Sequence, residues 1–291
     1  MHPDIASGTF ASNIVTRLLE RLAYRVNAAV HRHDEDSIHE LRVATRRFTQ
    51  SLAIFKSLYH AKDLKKIRRR LKELMDLSSA VRDCDVAAAL VAQSELPGAA
   101  AIQKPLAARR KEAVRMLLPN LRSWAARRTT SKWRATLTPN GASDTPLADL
   151  VRDRVPRAAK KFFQEADGAS SATDLHRARI QAKKLRYSLE LLKPAYDRQF
   201  DPTIEQIRTV QALLGKAHDG HAVRVLVAEL GGDDELESWL KKRERKKTRE
   251  FKAAWEAASP MLRDAMRELK HPVRKPVRRA ASSATSRVKT A

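Results

Sequence analysis

The strongest constraint on the fold is a ten-residue segment written twice. Ile38-His39-Glu40-Leu41-Arg42-Val43-Ala44-Thr45-Arg46-Arg47 aligns without a gap on Leu175-His176-Arg177-Ala178-Arg179-Ile180-Gln181-Ala182-Lys183-Lys184. At the same offset Leu52 falls on Leu189, Leu77 on Leu214 and Val86 on Val223. Arg82-Asp83 and His218-Asp219 fall one residue out of step. A spacing held across two helices and their connection predicts a duplicated helical bundle with approximate two-fold symmetry.

Helical periodicity runs through the rest of the chain, and no alternating strand pattern interrupts it. It predicts helices over 9–32, 37–58, 63–80, 83–95, 99–118 and 120–137, with Pro97-Gly98 as a break. Thr138 to Pro146 holds two prolines, a glycine and short polar residues, which read as the main linker. Helices are expected again over 146–166, 173–196, 202–217, 221–230 and 233–258, with a short last one opening at Pro260. The expected fold is all-α: two pseudo-symmetric helical bundles from an internal duplication, residues 1–138 and 146–270. Residues 271–291 carry six Lys/Arg and no acid, and are expected to form a disordered basic tail.

In the repeated helix each residue turns by ~100°, so His39, Arg42 and Arg46 stack along one stripe. Ile38, Leu41, Ala44, Phe48, Leu52 and Phe55 fall on roughly the opposite, core-facing side. The second copy repeats the plan with His176, Arg179 and Lys183, with Tyr187 one turn further on. Stacked cations repel one another and gain nothing from packing. A solvated face is the bland alternative for any such stripe. It does not explain why both stripes begin with histidine, where Lys or Glu would form helix better. Histidine can donate a hydrogen bond to a phosphate oxygen, arginine supplies a forked grip and lysine a point charge. Arg47, Lys184 and Arg186 flank the stripes, and Lys65, Lys66, Arg69 and Lys72 are candidates for secondary contacts on the following helix.

Charge narrows the partners. The chain has 58 Lys+Arg against 34 Asp+Glu, a formal net charge of +24, and a surplus of that size favours an anionic partner. Aromatic residues make up only 5%, which weighs against stacking of single-stranded bases. Nucleic acid, an anionic membrane and inorganic polyphosphate all qualify, and polyphosphate, which has no bases, needs only spaced cations. Sequence-blind attraction to DNA or RNA is the alternative. The dense run Lys241 to Arg249 reads either as an accessory polyanion contact or as a solvated helix.

Enzymatic readings find less support. His218-Asp219-Gly220-His221 and His31-Arg32-His33-Asp34 resemble fragments of metal sites, without an obvious companion set of ligands. They read instead as helix caps, as does Asp83. No metal and no cofactor is expected, and a metal-dependent phosphoanhydride hydrolase is the weakest alternative. Cys84 is the single cysteine and reads as structural. The first ten residues lack the pattern of a secretory signal and no stretch is long enough to span a bilayer. The expectation is a cytoplasmic protein that is not an enzyme.

Four segments resemble the CHAD family, the conserved histidine α-helical domain: 38–55 (IHELRVATRRFTQSLAIF), 74–86 (LMDLSSAVRDCDV), 175–192 (LHRARIQAKKLRYSLELL) and 213–223 (LLGKAHDGHAV). The resemblance covers about residues 9–269. It implies paired four-helix bundles around a basic central surface that binds polyphosphate, and association with polyphosphate granules. Carried over, the binding residues would be His39, Arg42, Arg46, Arg47, His176, Arg179, Lys183, Lys184 and Arg186. Two departures stand out: Ser78 occupies the place of Gly215, and Arg82-Asp83 that of His218-Asp219. Neither is expected to touch the stripes.

Overall fold

Apolar residues spaced three and four apart give each helix one buried face. On α1 (Ser7–His31) these are Phe10, Ile14, Leu18, Leu22 and Val26, and on α2 (Glu35–Ile54) Ile38, Leu41, Phe48 and Leu52. In the computed structural model, which describes residues 4–140, 144–196 and 199–268, α3 (Ala61–Ala92) and α4 (Pro97–Ala126) complete the first group. Short α5 (Thr129–Thr136) and α6 (Leu147–Val151) lead into α7 (Arg154–Asp167), α8 (Ala172–Tyr196), α9 (Asp201–Glu229) and α10 (Asp234–Glu268). The expected tail, residues 271–291, lies outside the described residues.

The two groups pack alike. α1 lies on α2, α2 on α3, α3 on α4 and α4 back on α1; α7 through α10 close the same ring. The fold is all-α and pseudo-symmetric, with α2 and α8, carriers of the repeat, meeting between the halves and α3 meeting α9. One apolar core runs from Phe10 through to Met266, so the halves share an interior. A smaller cluster, including Val91, Ile102, Leu226, Val227 and Leu240, seals the far ends of α3, α4, α9 and α10. Between these two seals the facing helices stand apart.

Several expected helix ends are absent. α3 runs unbroken for 32 residues, through the gap expected before Asp83. Nothing in Ala80-Val81-Arg82-Asp83 stops a helix, so Asp83 sits mid-helix and caps nothing. α9 likewise passes through Gly215, His218 and Gly220. Gly220 marks a close approach: a Cβ there would lie 3.4 Å from the Glu244 Cα of α10. Pro119 and Pro260 are carried inside α4 and α10, whereas the helix expected over 146–166 breaks between α6 and α7.

The α9–α10 corner is a true stop. Gly231 takes φ +78, a conformation that suits glycine at a helix C-terminus. Its amide bonds the Ala228 carbonyl at 3.2 Å, and the Gly232 amide bonds that of Val227 at 2.9 Å. Asp233 then accepts from the Leu236 amide at 2.8 Å and starts α10. The linker is pinned as well: Ser7 donates to the Thr145 carbonyl and Leu147 to that of Ile5.

Candidate functional site

The gap between the halves is a cleft of about 1070 Å³. α2 contributes His39, Arg42 and Arg46, and α8 contributes Arg179, Lys183 and Arg186. The two stripes face one space because α2 and α8 occupy equivalent places about the pseudo-two-fold. Arg82, Arg109 and His218 add further positive or protonatable groups, and Asp76, Asp83, Glu112, Asp219 and Glu229 line the same walls.

Hydrogen bonding sorts these cations into two kinds. Arg42 is anchored: its guanidinium donates to the Met75 carbonyl at 3.1 Å, to Ser78 Oγ at 3.4 Å and to Ser79 Oγ at 2.6 Å. Arg179 reaches Asp219 at 3.5 Å. Arg46 and Lys183, which correspond in the repeat, have no hydrogen-bond or ion-pair partner among the described residues. The Nε atoms of Arg46 and Arg179 are buried and unpaired. A buried donor left unpaired costs about 1–3 kcal/mol, a penalty that an incoming anion would remove.

Both departures from the repeat therefore touch the stripes, contrary to expectation. Ser78 helps hold Arg42, whereas Gly215 offers Arg179 no side chain, and an added Cβ would come 3.9 Å from Arg179 Nε. Asp219 is the partner of Arg179, while Arg82 pairs with Glu35 at 2.5 Å on the cleft wall of the first half.

The crowding of like charge is visible in protonation. Burial, reinforced by Arg179 and Arg46, brings Lys183 from its ordinary 10.5 down to about 6. At pH 7 it spends much of its time as the neutral amine. Burial, with Arg46 beside it, brings Arg42 to about 10. His39 is lowered by desolvation and then by Arg82 and Arg46; His176 by desolvation and then by His218 and Arg179. Asp83, open to the cleft yet ringed by protein, is raised by desolvation despite Arg42. For Asp219, desolvation is outweighed by His218, whose Nδ1 lies 3.6 Å away, and by the charge of Arg179, and its value falls.

Of the remaining sequence candidates, only Arg186 lines the cleft. His176 is exposed and stacks on His218, with ring centroids 4.6 Å apart, at the cleft edge. Arg186 is bound to Glu190 at 2.5 Å and Gln211 at 2.8 Å. Arg47 also pairs with Glu190, at 3.3 Å, and Tyr187 is buried between the two guanidiniums. Arg47 lines a separate 460 Å³ pocket, and exposed Lys184 lines no part of the cleft. Lys65, Lys66, Arg69 and Lys72 are exposed on α3, away from the cleft walls, with Lys72 paired to Asp76 at 2.5 Å.

Asp34 caps α2 by accepting from the Ser37 amide at 2.8 Å, as its cap reading required. His218-Asp219 is no cap, since it lies inside α9, and His221 turns away to Glu244 at 3.2 Å. No group of three or more His, Cys, Asp or Glu among the described residues is placed to hold a metal ion. Cys84 is buried and its thiol is raised by desolvation, which suits a structural residue. Arg82, inside the motif 74–86, was seen in the sequence but expected to stay clear of the stripes. Arg109 escaped the sequence reading, since it joins the cleft only through the packing of α4 on α3.

Comparison with known proteins follows the same lines. The family model of the CHAD domain matches residues 13–228. The fold resembles the crystal structure of the CHAD domain from the plant Ricinus communis, with a TM-score of 0.65, 22% identity and 94% of each chain covered. It also resembles PptA from Streptomyces chartreusis, with a TM-score of 0.61, 15% identity, 91% of this chain and 99% of that one covered. No curated protein matches in sequence. No helix among the described residues is long and apolar enough to cross a membrane.

Proposed function

The chain belongs to the CHAD family, and from that premise we propose that its central cleft binds inorganic polyphosphate without chemical turnover. The observation that carries this reading is the pair Arg46 and Lys183: corresponding residues of the two halves, both without partners among the described residues, lining one cleft. A linear polyphosphate offers a closely spaced row of anionic oxygens and no other chemistry. Arg46 grips two such oxygens at once, Arg42 and Arg179 stand preset beside it, and His39 borders the cleft. Arrival of the polymer restores charge to Lys183, since a neighbouring anion favours the ammonium form.

Binding without hydrolysis fits the acids present. Asp219 is engaged by Arg179 and His218, and no group of three or more His, Cys, Asp or Glu among the described residues is placed to gather a metal beside the anhydride. In this reading the flanking residues Arg47, His176, Lys184 and Arg186, with Lys65, Lys66, Arg69 and Lys72, supply a surrounding positive field. Association with polyphosphate granules follows from the affinity for the polymer.

Calorimetric titration with long-chain polyphosphate and with duplex DNA of equal charge, at two salt concentrations, tests the reading. Tight binding of polyphosphate and much weaker binding of DNA is the expected result. Equal affinities would replace the shaped site by attraction from net charge alone.

A further inference from the structure

A second basic groove, of about 650 Å³, lies between the first turn of α8, the end of α9 and the middle of α10. Its cations are Arg224 from α9 and Lys241, Lys242, Arg245 and Arg249 from α10. On α10 these residues recur at steps of three and four, so they form one stripe about 12 Å long. All four are exposed, and none has a hydrogen-bond or ion-pair partner among the described residues. The acid in their midst does not neutralise them. Glu244 turns inward, pairing with Arg224 and His221, each at 3.2 Å. Elsewhere on the helix Lys247 is tied to Glu250 at 2.7 Å, and Arg243 reaches Gln93 at 3.1 Å.

The groove adjoins the cleft. Leu175 lines the groove, and its neighbour His176 stacks on His218, which lines the cleft. On α9 the cleft-lining Val223 is followed at once by Arg224. The first half keeps little of this stripe: in the repeat register, with α4 and α10 starting in step, Lys104 stands for Lys241, but Pro105 stands for Lys242, Ala108 for Arg245, Glu112 for Arg249 and Ala87 for Arg224.

We propose that this α10 groove is a second polyanion site that takes the length of a polyphosphate chain emerging from the cleft past the His176–His218 pair. The duplicated fold thereby has a polarity, since the extra contacts lie on one side only. The proposal rests on the cleft being a polyphosphate site. It separates short from long polymers: tripolyphosphate is held by the cleft alone, and a long chain by both sites.

The test is a two-by-two set on the full chain, with folding checked by circular dichroism and thermal melting. One variant is Lys241→Gln/Arg245→Gln/Arg249→Gln, the second Arg46→Ala/Lys183→Ala, and the third combines them. Titrations use tripolyphosphate and long-chain polyphosphate. The groove variant should bind tripolyphosphate as the wild type does, and long chains about tenfold more weakly with a salt slope smaller by roughly 2. The cleft variant should lose tripolyphosphate but keep weak long-chain binding, which the combined variant loses. Unchanged long-chain affinity and slope in the groove variant overturns the groove. An unimpaired cleft variant overturns the cleft reading, and a wild type that binds neither polymer overturns both.

Discussion

The two walls of the cleft occupy equivalent places and carry different charge. On the first, Arg42 is fixed by two serine hydroxyls and a carbonyl, neutral groups that leave its charge uncompensated, while Arg82 beside it is paired with Glu35. On the second, Arg179 leans on the carboxylate of Asp219, and Lys183 has fallen to about 6. Arg46 corresponds to Lys183, yet a guanidinium keeps its proton where an ammonium surrenders it. The repeat fixes the positions, but at this step one wall carries a guanidinium and the other an amine whose charge burial disfavours. A polyanion is held by standing charge on one side and completes the charge on the other.

Unequal substitutions would sharpen this contrast most. Arg46→Ala should weaken polyphosphate binding at pH 7 by roughly 10- to 100-fold, because bonds to charged groups are worth about 1.5–3 kcal/mol. Lys183→Ala should cost less, since the amine must first gain a proton. Equal losses in calorimetric titration would show that the walls act alike.

The pH response comes next. In the free protein Lys183 titrates near 6 and in the bound protein higher, so binding takes up protons between those values. Affinity should fall as pH rises from 6 to 8, by at most about tenfold per pH unit for one proton. The enthalpy should depend on the buffer, and Lys183→Met should remove most of both effects. The sign for folding is opposite. The unfolded chain binds more protons at this lysine between about 6 and 10.5, so its destabilising effect is full below 6 and fades as pH rises through that window. Thermal melting of wild type against Lys183→Met, without ligand, reads this directly.

The anchors give the smallest effects, of opposite sign. Ser79→Ala removes the shortest bond to Arg42 and should cost stability of about 1 kcal/mol, with slightly weaker binding. Asp219→Asn removes the acid beside Arg179 and should tighten binding by a few fold, as a partly exposed ion pair is worth ~0.2–1 kcal/mol. Losses of the same sign from both would end the distinction between neutral and ionic anchors.

The repeat and the 3.6-residue period made the stripes and the core faces of α2 and α8 legible, because both follow from local spacing. The charge state of Lys183 was not legible, since it arises first from burial in the packed fold, then from Arg179 on its own helix and from Arg46 across the cleft. The length of α3 was missed because Asp83 has the chemistry of a cap, yet its small propensity cost does not end a helix that packing holds on both sides. Tyr187 looked like a continuation of the stripe. The packing of Arg47 and Arg186 around it instead makes it a buried divider between the cleft and the neighbouring pocket.

The backbone bonds from Ser7 to Thr145 and from Leu147 to Ile5 place the beginning of the first half against the start of the second. A unit whose two ends meet can be copied in tandem without a spanning connector, which is the geometry that duplication requires.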